Sequence, residues 1–226
     1  MSERYTLFEI ENLRDRFKLP NGVPPGVKKN YNISPTQLAP VIFTNSDGVI
    51  ELKRMKWGFI PERAKDTNGV FRYKTFDAKS EDVFEKVSWQ HAIRNSRCLI
   101  PSNGYYEWQK TPDGKRPFYI KPKDQDLFSI AGIYSSWTDP EGTQWGMFAV
   151  ITVVSNIEMA TINPRMPVIL RPEDEATWLD PTVDDYSSLY DCMRTHPDGM
   201  LQIKMANPEV NSMKTSGPQL IIPPVR

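Results

Sequence analysis

Arg97-Cys98-Leu99-Ile100-Pro101-Ser102-Asn103-Gly104-Tyr105-Tyr106-Glu107-Trp108 is the stretch on which the fold class turns. Side chains from Gly104 to Gln109 alternate as in a strand. Tyr105, Glu107 and Gln109 share one face, and Tyr106 and Trp108 share the other. Beyond it, Pro117–Lys121, Leu127–Tyr134 and Trp145–Val154 read as further strands. Thr111-Pro112-Asp113-Gly114 and Asp139-Pro140-Glu141-Gly142 are their turns. Before it, Ser80 followed by Val83, Phe84, Val87 and Ile93 predicts a capped amphipathic helix. Pro40–Thr44 and Val49–Trp57 predict a hairpin closed through Asn45-Ser46-Asp47-Gly48. Tyr5–Leu7 is a short strand, and Ile10, Leu13 and Phe17 recur at helical spacing. Pro20–Gly26 is a loop, and Arg63–Thr75 is polar and irregular. Glu173–Leu179 and Tyr186–Met193 read as short helices. Many strands with few helices define an α+β chain whose sheet is curved or barrel-like.

The chain has 226 residues, and the default expectation is one domain over 1–226. Hydrophobic residues make up 39% and aromatics 11%, which excludes a disordered chain. No apolar run approaches the ~20 residues of a membrane span. No signal peptide is visible before Tyr5. Cys98 and Cys192 form no CxxC motif and are expected to be reduced thiols of a cytosolic protein. No metal-ligand cluster, P-loop or GxSxG is present, so neither cofactor nor metal is expected.

Net charge is zero, which does not by itself announce a nucleic-acid binder. The charges are unevenly spread. Val49–Arg97 holds eleven bases against seven acids, and Asp139–Asp198 holds eleven acids against three bases. Either the basic half forms a phosphate-attracting face or the two halves pair with each other.

Further strings frame the first one: Tyr31-Asn32-Ile33-Ser34-Pro35-Thr36, Trp57-Gly58-Phe59-Ile60-Pro61 and Arg165-Met166-Pro167-Val168-Ile169-Leu170. In this order and at these separations the chain resembles the SRAP family (SOS-response-associated peptidase), from Arg4 to Pro223. The resemblance implies a compact barrel-like mixed or antiparallel sheet with flanking helices and a groove for DNA. It implies covalent attachment to abasic sites in single-stranded DNA during a damage response, and a monomer in the cytoplasm, nucleoid-associated, or in the nucleus of a eukaryote.

The family's site residues carry over with substitutions. Where the family opens Met-Cys-Gly-Arg, this chain has Met1-Ser2-Glu3-Arg4. In the family the initiator Met is removed and the α-amine of residue 2 attacks the aldehyde of the ring-opened sugar, and the resemblance implies the same for Ser2. An α-amine titrates near pH 8, so part of it is neutral at physiological pH. The family's thiol then closes a thiazolidine, whereas Ser2 offers only a weaker, reversible oxazolidine. Phe76-Asp77-Ala78-Lys79-Ser80-Glu81 resembles the family's Asn-Ala-Arg-Ser-Glu. Asp77 stands for an Asn, and Lys79 keeps a positive charge without the guanidinium fork. Glu107 corresponds to the family's proton shuttle. Asn163, before Pro164-Arg165, stands where the family has a His, and an amide does not titrate. The catalytic set implied is Ser2, Asp77, Glu107 and Asn163. The DNA-contacting set is Arg4, Pro35, Arg63, Lys79, Thr152 and Arg165. Arg63 falls near the place of a family Trp that stacks beside a base. Trp57 is expected in the core, and His91 and His196 in structural roles.

Three functions remain open at this point. The chain captures abasic sites through its N-terminal amine; or it binds single strands or a partner without covalent chemistry; or it is an N-terminal-nucleophile hydrolase with Ser2 as nucleophile.

Overall fold

The computed structural model describes residues 4–62, 64 and 75–223. In chain order the elements are β1 (Tyr5–Leu7), α1 (Leu13–Arg16), β2 (Asn30–Ile33), β3 (Leu38–Thr44), β4 (Ile50–Trp57), β5 (Asp77–Lys79) and α2 (Val87–Asn95). Then come β6 (Arg97–Ser102), β7 (Gly104–Thr111), β8 (Gly114–Pro122), β9 (Phe128–Thr138) and β10 (Gln144–Val154). The chain continues with α3 (Ile157–Ala160), β11 (Arg165–Pro167), α4 (Glu175–Leu179), α5 (Tyr186–Cys192) and β12 (Leu201–Met205).

Strands β10–β4–β3–β6–β9 close on themselves, because β9 also pairs with β10. The result is a five-stranded barrel, antiparallel except where β4 runs parallel to β10. The short strands β5 and β11 extend β10 beyond the ring. A second, antiparallel sheet runs β12–β8–β7–β1–β2. Closure leaves the ring without a free edge, and its buried aliphatic and aromatic side chains, among them Trp57, Phe148, Ile42 and Leu99, form one core. Trp57 belongs to that core, its indole donating to Phe76 O at 2.8 Å.

The two sheets meet where β6 passes into β7. Asn103 accepts from Phe8 N (2.7 Å) and Glu9 N, and donates to Asp126 O. Gly104 is needed here for close approach: a Cβ would stand 2.3 Å from the Tyr119 ring. Alternation along β7 then sends Tyr105 into the barrel core, and Tyr106 to a second cluster with Tyr119, Ala206, Val210 and Leu220.

That second cluster lies under the C-terminal tail, which turns through short 3-10 segments at Pro208–Asn211 and Pro218–Ile221. Asn32 holds the tail down. It is 1% exposed, and its Nδ2 donates to Val210 O, Ser212 O (2.9 Å) and Thr215 O (2.8 Å). Its Oδ1 accepts from Arg4 Nη1 at 3.1 Å. Replacing Asn32 with Leu strips those carbonyls of their donor, and is expected to cost about 2–3 kcal/mol. At this chain length that lowers the melting temperature by roughly 5–10 °C. A thermal scan checks it, and an unchanged midpoint would refute the role of Asn32.

One local expectation is corrected. The helix begins at Val87, not at Ser80, and its N-cap position is Lys86 with no side-chain cap bond. Ser80 instead donates its hydroxyl to the neighbouring Glu81 carboxylate. Residues 80–86 form turns that let Val83 sink into the core. Val83 and Ile93 do share the core, but only Trp89, Ala92 and Ile93 are buried from the helix itself, and Val87 is 88% exposed.

Among the described residues, one ion pair joins the two charged segments, Arg165 with Glu81, and no base of 49–97 forms one with an acid of 139–198.

Candidate functional site

Glu107 is 1% exposed. A carboxylate at that depth needs a hydrogen-bond partner, and Asn163 supplies one, its Nδ2 donating to Glu107 Oε2 at 3.0 Å. Asn163 is itself fixed. The Asn156 side chain caps α3 by accepting from Met159 N. Asn163 N then donates back to Met159 O. Asn163 Oδ1 accepts from Arg165 N at 3.1 Å. With its oxygen so used, the amide can only present its NH2 to Glu107.

Beside Glu107, the phenol of Tyr105 is pushed well above its ordinary pKa, mainly by burial and further by the charges of Glu107 and Glu158. It stays neutral across the working range.

Glu107 and Asn163 lie in a cavity of about 820 Å³. Trp108, Gln109, Thr161, Ile162, Pro164 and Asn211 form its walls, and Arg4, Lys110 and Lys115 supply the cations. The walls are tied together: Gln109 Nε2 donates to Thr161 O (3.0 Å), and Trp108 Nε1 to Asn211 Oδ1 (2.7 Å). Arg4 is held by Asn32 and by Val210 O (2.9 Å), its guanidinium carbon 6.0 Å from the Trp108 ring centre. Arg4 O accepts from Tyr106 N (3.0 Å), so the chain enters alongside β7 next to Glu107.

A second group gathers along β10. Asp77 and Lys79 sit on β5, in register with Val150 and Thr152. Thr152 is buried and donates to Ala78 O. Arg165 opens β11 and grips Glu81 with both Nη atoms, at 2.7 and 2.9 Å, while its Nη2 also donates to Thr152 O at 2.6 Å. The Arg165–Asn163 bond links this group to the cavity. Pro35 lies half-buried before Thr36, which takes the left-handed φ of 73° and donates its N–H to Trp57 O. Ser2 and Arg63 lie outside the described residues.

The Arg165 guanidinium holds the Glu81 carboxyl down at about 2. A carboxyl depressed in the folded state stabilises above its unfolded pKa, near 4.5, and that contribution is lost as pH falls through about 2. The stability difference between the parent chain and Glu81→Gln is therefore expected to be level above pH ~5 and to shrink steadily toward pH ~2. Denaturant unfolding across that range checks this; a difference independent of pH would remove the ion pair as its source.

Of the residues the sequence points to, the structure brings Arg4, Glu107 and Asn163 to one cavity and Arg165 beside it; Asn32, Gln109 and Asn211, which tie its walls, are not among them. One signal for Asn32 was present: an amide in the middle of a strand, where Asn is disfavoured. Among the described residues no group of His, Cys, Asp or Glu is placed to hold a metal ion. No helix among them is long and apolar enough to cross a membrane.

The class this defines is a mixed α+β barrel protein with a carboxylate–amide pair sunk in a cation-bearing cavity at its N-terminus. The model of the family described as SOS response associated peptidase (SRAP) matches residues 1–213, and the chain belongs to that family. It is 34% identical over 224 residues to the abasic site processing protein YoqW of Bacillus subtilis, covering 98% of this chain and 99% of that one. It is 29% identical to the abasic site processing protein HMCES of Xenopus tropicalis, over 84% of this chain and 64% of that longer one. Among solved structures, a protein from Bacteroides thetaiotaomicron superposes with a TM-score of 0.88 at 25% identity, covering 99% of this chain and all of that one. A Bordetella bronchiseptica protein shares the fold with a TM-score of 0.78 at 18% identity.

Proposed function

We propose that this chain engages abasic sites in single-stranded DNA as part of a DNA-damage response, and that the α-amine of Ser2 captures the opened sugar. The observation that carries this reading is the buried Glu107 carboxylate, hydrogen-bonded by Asn163 inside the cavity that Arg4 lines. Ser2 stands two residues before Arg4, a tether of at most about 7 Å. The names of the curated relatives supply the substrate class.

The chemistry runs as follows. The neutral amine adds to the aldehyde carbon, forming a C–N bond and a carbinolamine. Glu107 carries a proton from the nitrogen to the oxygen as the carbinolamine forms, and then, protonated again from solvent, donates to the departing hydroxyl, which leaves as water. The product is a protonated Schiff base. The Ser2 hydroxyl can add across it to give an oxazolidine, and the same steps run backwards. Asn163 cannot titrate, so its part is to orient Glu107. Arg4 holds a phosphate of the strand. Pro35, Arg63, Lys79, Thr152 and Arg165 form the further contact set, and a phosphate at Arg165 competes with Glu81 for the guanidinium. Asp77 faces the protonated form of the amine. The protein acts as one domain over 1–226, as a monomer, in the cytoplasm at the nucleoid or in a nucleus.

The test is a denaturing gel of Met1-processed protein with an abasic single strand, with and without borohydride, beside an undamaged strand. A shifted band with the abasic strand after reduction supports amine capture. Its absence from a correctly processed chain sinks the covalent step and leaves a non-covalent binder of single strands.

A further inference from the structure

The basic half of the sequence has a structural counterpart that the Glu107 cavity does not use. On β4, Arg54 and Lys56 share one face of the strand and Lys53 stands on the other, and Lys53 and Arg54 line a groove of about 370 Å³. Pro24 and Pro25 form one wall, Gln144, Trp145 and Gly146 another, and the half-exposed Leu38 lies between them. The groove is held in shape. Trp145 Nε1 donates to Asp139 Oδ2 at 2.9 Å, which fixes the indole. Lys56 Nζ lies 5.5 Å from the centre of that ring. Arg54 Nη1 donates to Gly26 O across the proline loop, and Gly26 has the φ of +87° that this turn requires.

Two carboxylates lie nearby, and both are occupied. Glu51 accepts from Asn45 and pairs with Lys53, and Asp139 accepts from the indole and from Thr143 N. Arg54 and Lys56 form no ion pair among the described residues. The Lys53 ammonium turns to Glu51 and to the Phe43 ring, 5.2 Å from its centre. Arg54 and Lys56, on the face of β4 that Trp145 shares, make with the indole and an exposed leucine a surface that tracks phosphates and stacks a base without reading its edge.

One strand, β10, connects the groove with the group around Lys79 and Thr152. Lys56 is in register with Met147 of β10, and Lys79 with Thr152. Five residues of strand separate the two positions by roughly 17 Å. The spacing of five is odd, so Lys56 and Lys79 face opposite sides of the β10 layer, and a bound strand passes around its edge to reach both.

We propose that the groove of Lys53, Arg54, Lys56 and Trp145 is a second, sequence-independent subsite for the single strand, binding the part that flanks the lesion. This rests on the single-stranded DNA reading of the Glu107 cavity and extends it to a longer footprint.

The experiment measures binding and borohydride trapping with two abasic strands: one long enough to span both sites, and one with two nucleotides on each side of the lesion. For the long strand, K53A/R54A/K56A is expected to weaken binding on the order of tenfold at low salt and to flatten the salt dependence by about two units of slope. W145A is expected to weaken it by a similar factor with the slope unchanged. The charge-conserving K53R/R54K/K56R keeps the binding. With the short strand all variants match the parent, and trapping at saturating DNA is unchanged throughout. Long-strand binding that is unaltered in the triple alanine variant, while trapping persists, overturns the subsite and leaves the Glu107 reading standing. Equal losses on short and long strands also overturn it, since the effect is then general charge. If binding of an acidic peptide is lost in the triple variant while DNA binding is not, the groove belongs to a protein partner and the proposal fails. Loss of DNA binding by the parent chain itself ends both readings.

Discussion

Glu107→Gln is expected to slow borohydride-trappable capture on the order of a hundredfold to ten-thousandfold, the usual contribution of a positioned general acid–base group. The substitution is nearly isosteric. A Gln oxygen can still accept from Asn163 Nδ2, which now donates to Glu107 Oε2 at 3.0 Å, so the pocket keeps its shape while the proton carrier is lost. Affinity for an undamaged strand is expected to stay close to that of the parent. The pH profile separates this from a packing defect: any limb due to the carboxyl disappears in the Gln variant. Trapping at the parental rate in Glu107→Gln would show that the carboxylate takes no part in the proton transfers.

Arg97→Met is expected to destabilise the fold on the order of 3–5 kcal/mol, with a melting temperature lower by roughly 10 °C. Arg97 is 5% exposed, and among the described residues no carboxylate forms an ion pair with it. Its Nε donates to Trp178 O (2.7 Å) and its Nη1 to Ile93 O and Arg94 O. Its Nη2 donates to Asp180 O and Val183 O. These carbonyls cluster at the C-terminal ends of α2 and α4, where helix dipoles place negative potential. Burial pulls the Arg97 pKa down, but from a value so far above neutrality that the charge persists. Methionine fills much of the volume and leaves five carbonyls short of their donor. Chemical denaturation measures the loss. The Glu107 site stands on other strands, so trapping by the folded fraction at low temperature should survive. A variant as stable as the parent would mean that water serves those carbonyls as well as the guanidinium does.

Arg97 also marks where sequence reading stops. It was counted among the basic residues that form or oppose a phosphate-facing surface, and nothing local announced that it faces inward. The five carbonyls lie both just before it and more than eighty positions after it. Asn32 was opaque for the same reason, since its partners lie at Val210, Ser212 and Thr215. What was legible was local. The hairpins appeared where Asn45-Ser46-Asp47-Gly48, Thr111-Pro112-Asp113-Gly114 and Asp139-Pro140-Glu141-Gly142 indicated turns, because turn chemistry is written into adjacent residues. The faces of β7 followed from alternation. Ser80 misled because a serine before apolar residues is a cap only if the next residues turn into helix. Here Val83 is drawn into the core instead, and the helix waits for Val87. For the site, the resemblance to the family located Glu107 and Asn163 as separate positions, and only the fold shows that the second donates to the first.

Two joints of the ring are fastened by two register pairs each, β3 with β6 and β4 with β10, and the second, Lys56 with Met147 and Trp57 with Phe148, spans the longer stretch of chain. The hairpins on either side form between neighbours in the chain, whereas this seam joins segments far apart in it. Its closure entropy is the largest of the barrel's joints, and such contacts are made late. The consequence is kinetic: until the seam shuts, β4 and β10 each present an open edge, and the refolding chain is most prone to associate with its neighbours during that interval. Trp57 lies at the seam, stacked 6.0 Å from Phe148. Refolding of the parent chain followed by tryptophan fluorescence should therefore show a slow phase that a Trp57→Phe chain loses while still reaching the native state, and persistence of that phase would place the late step elsewhere.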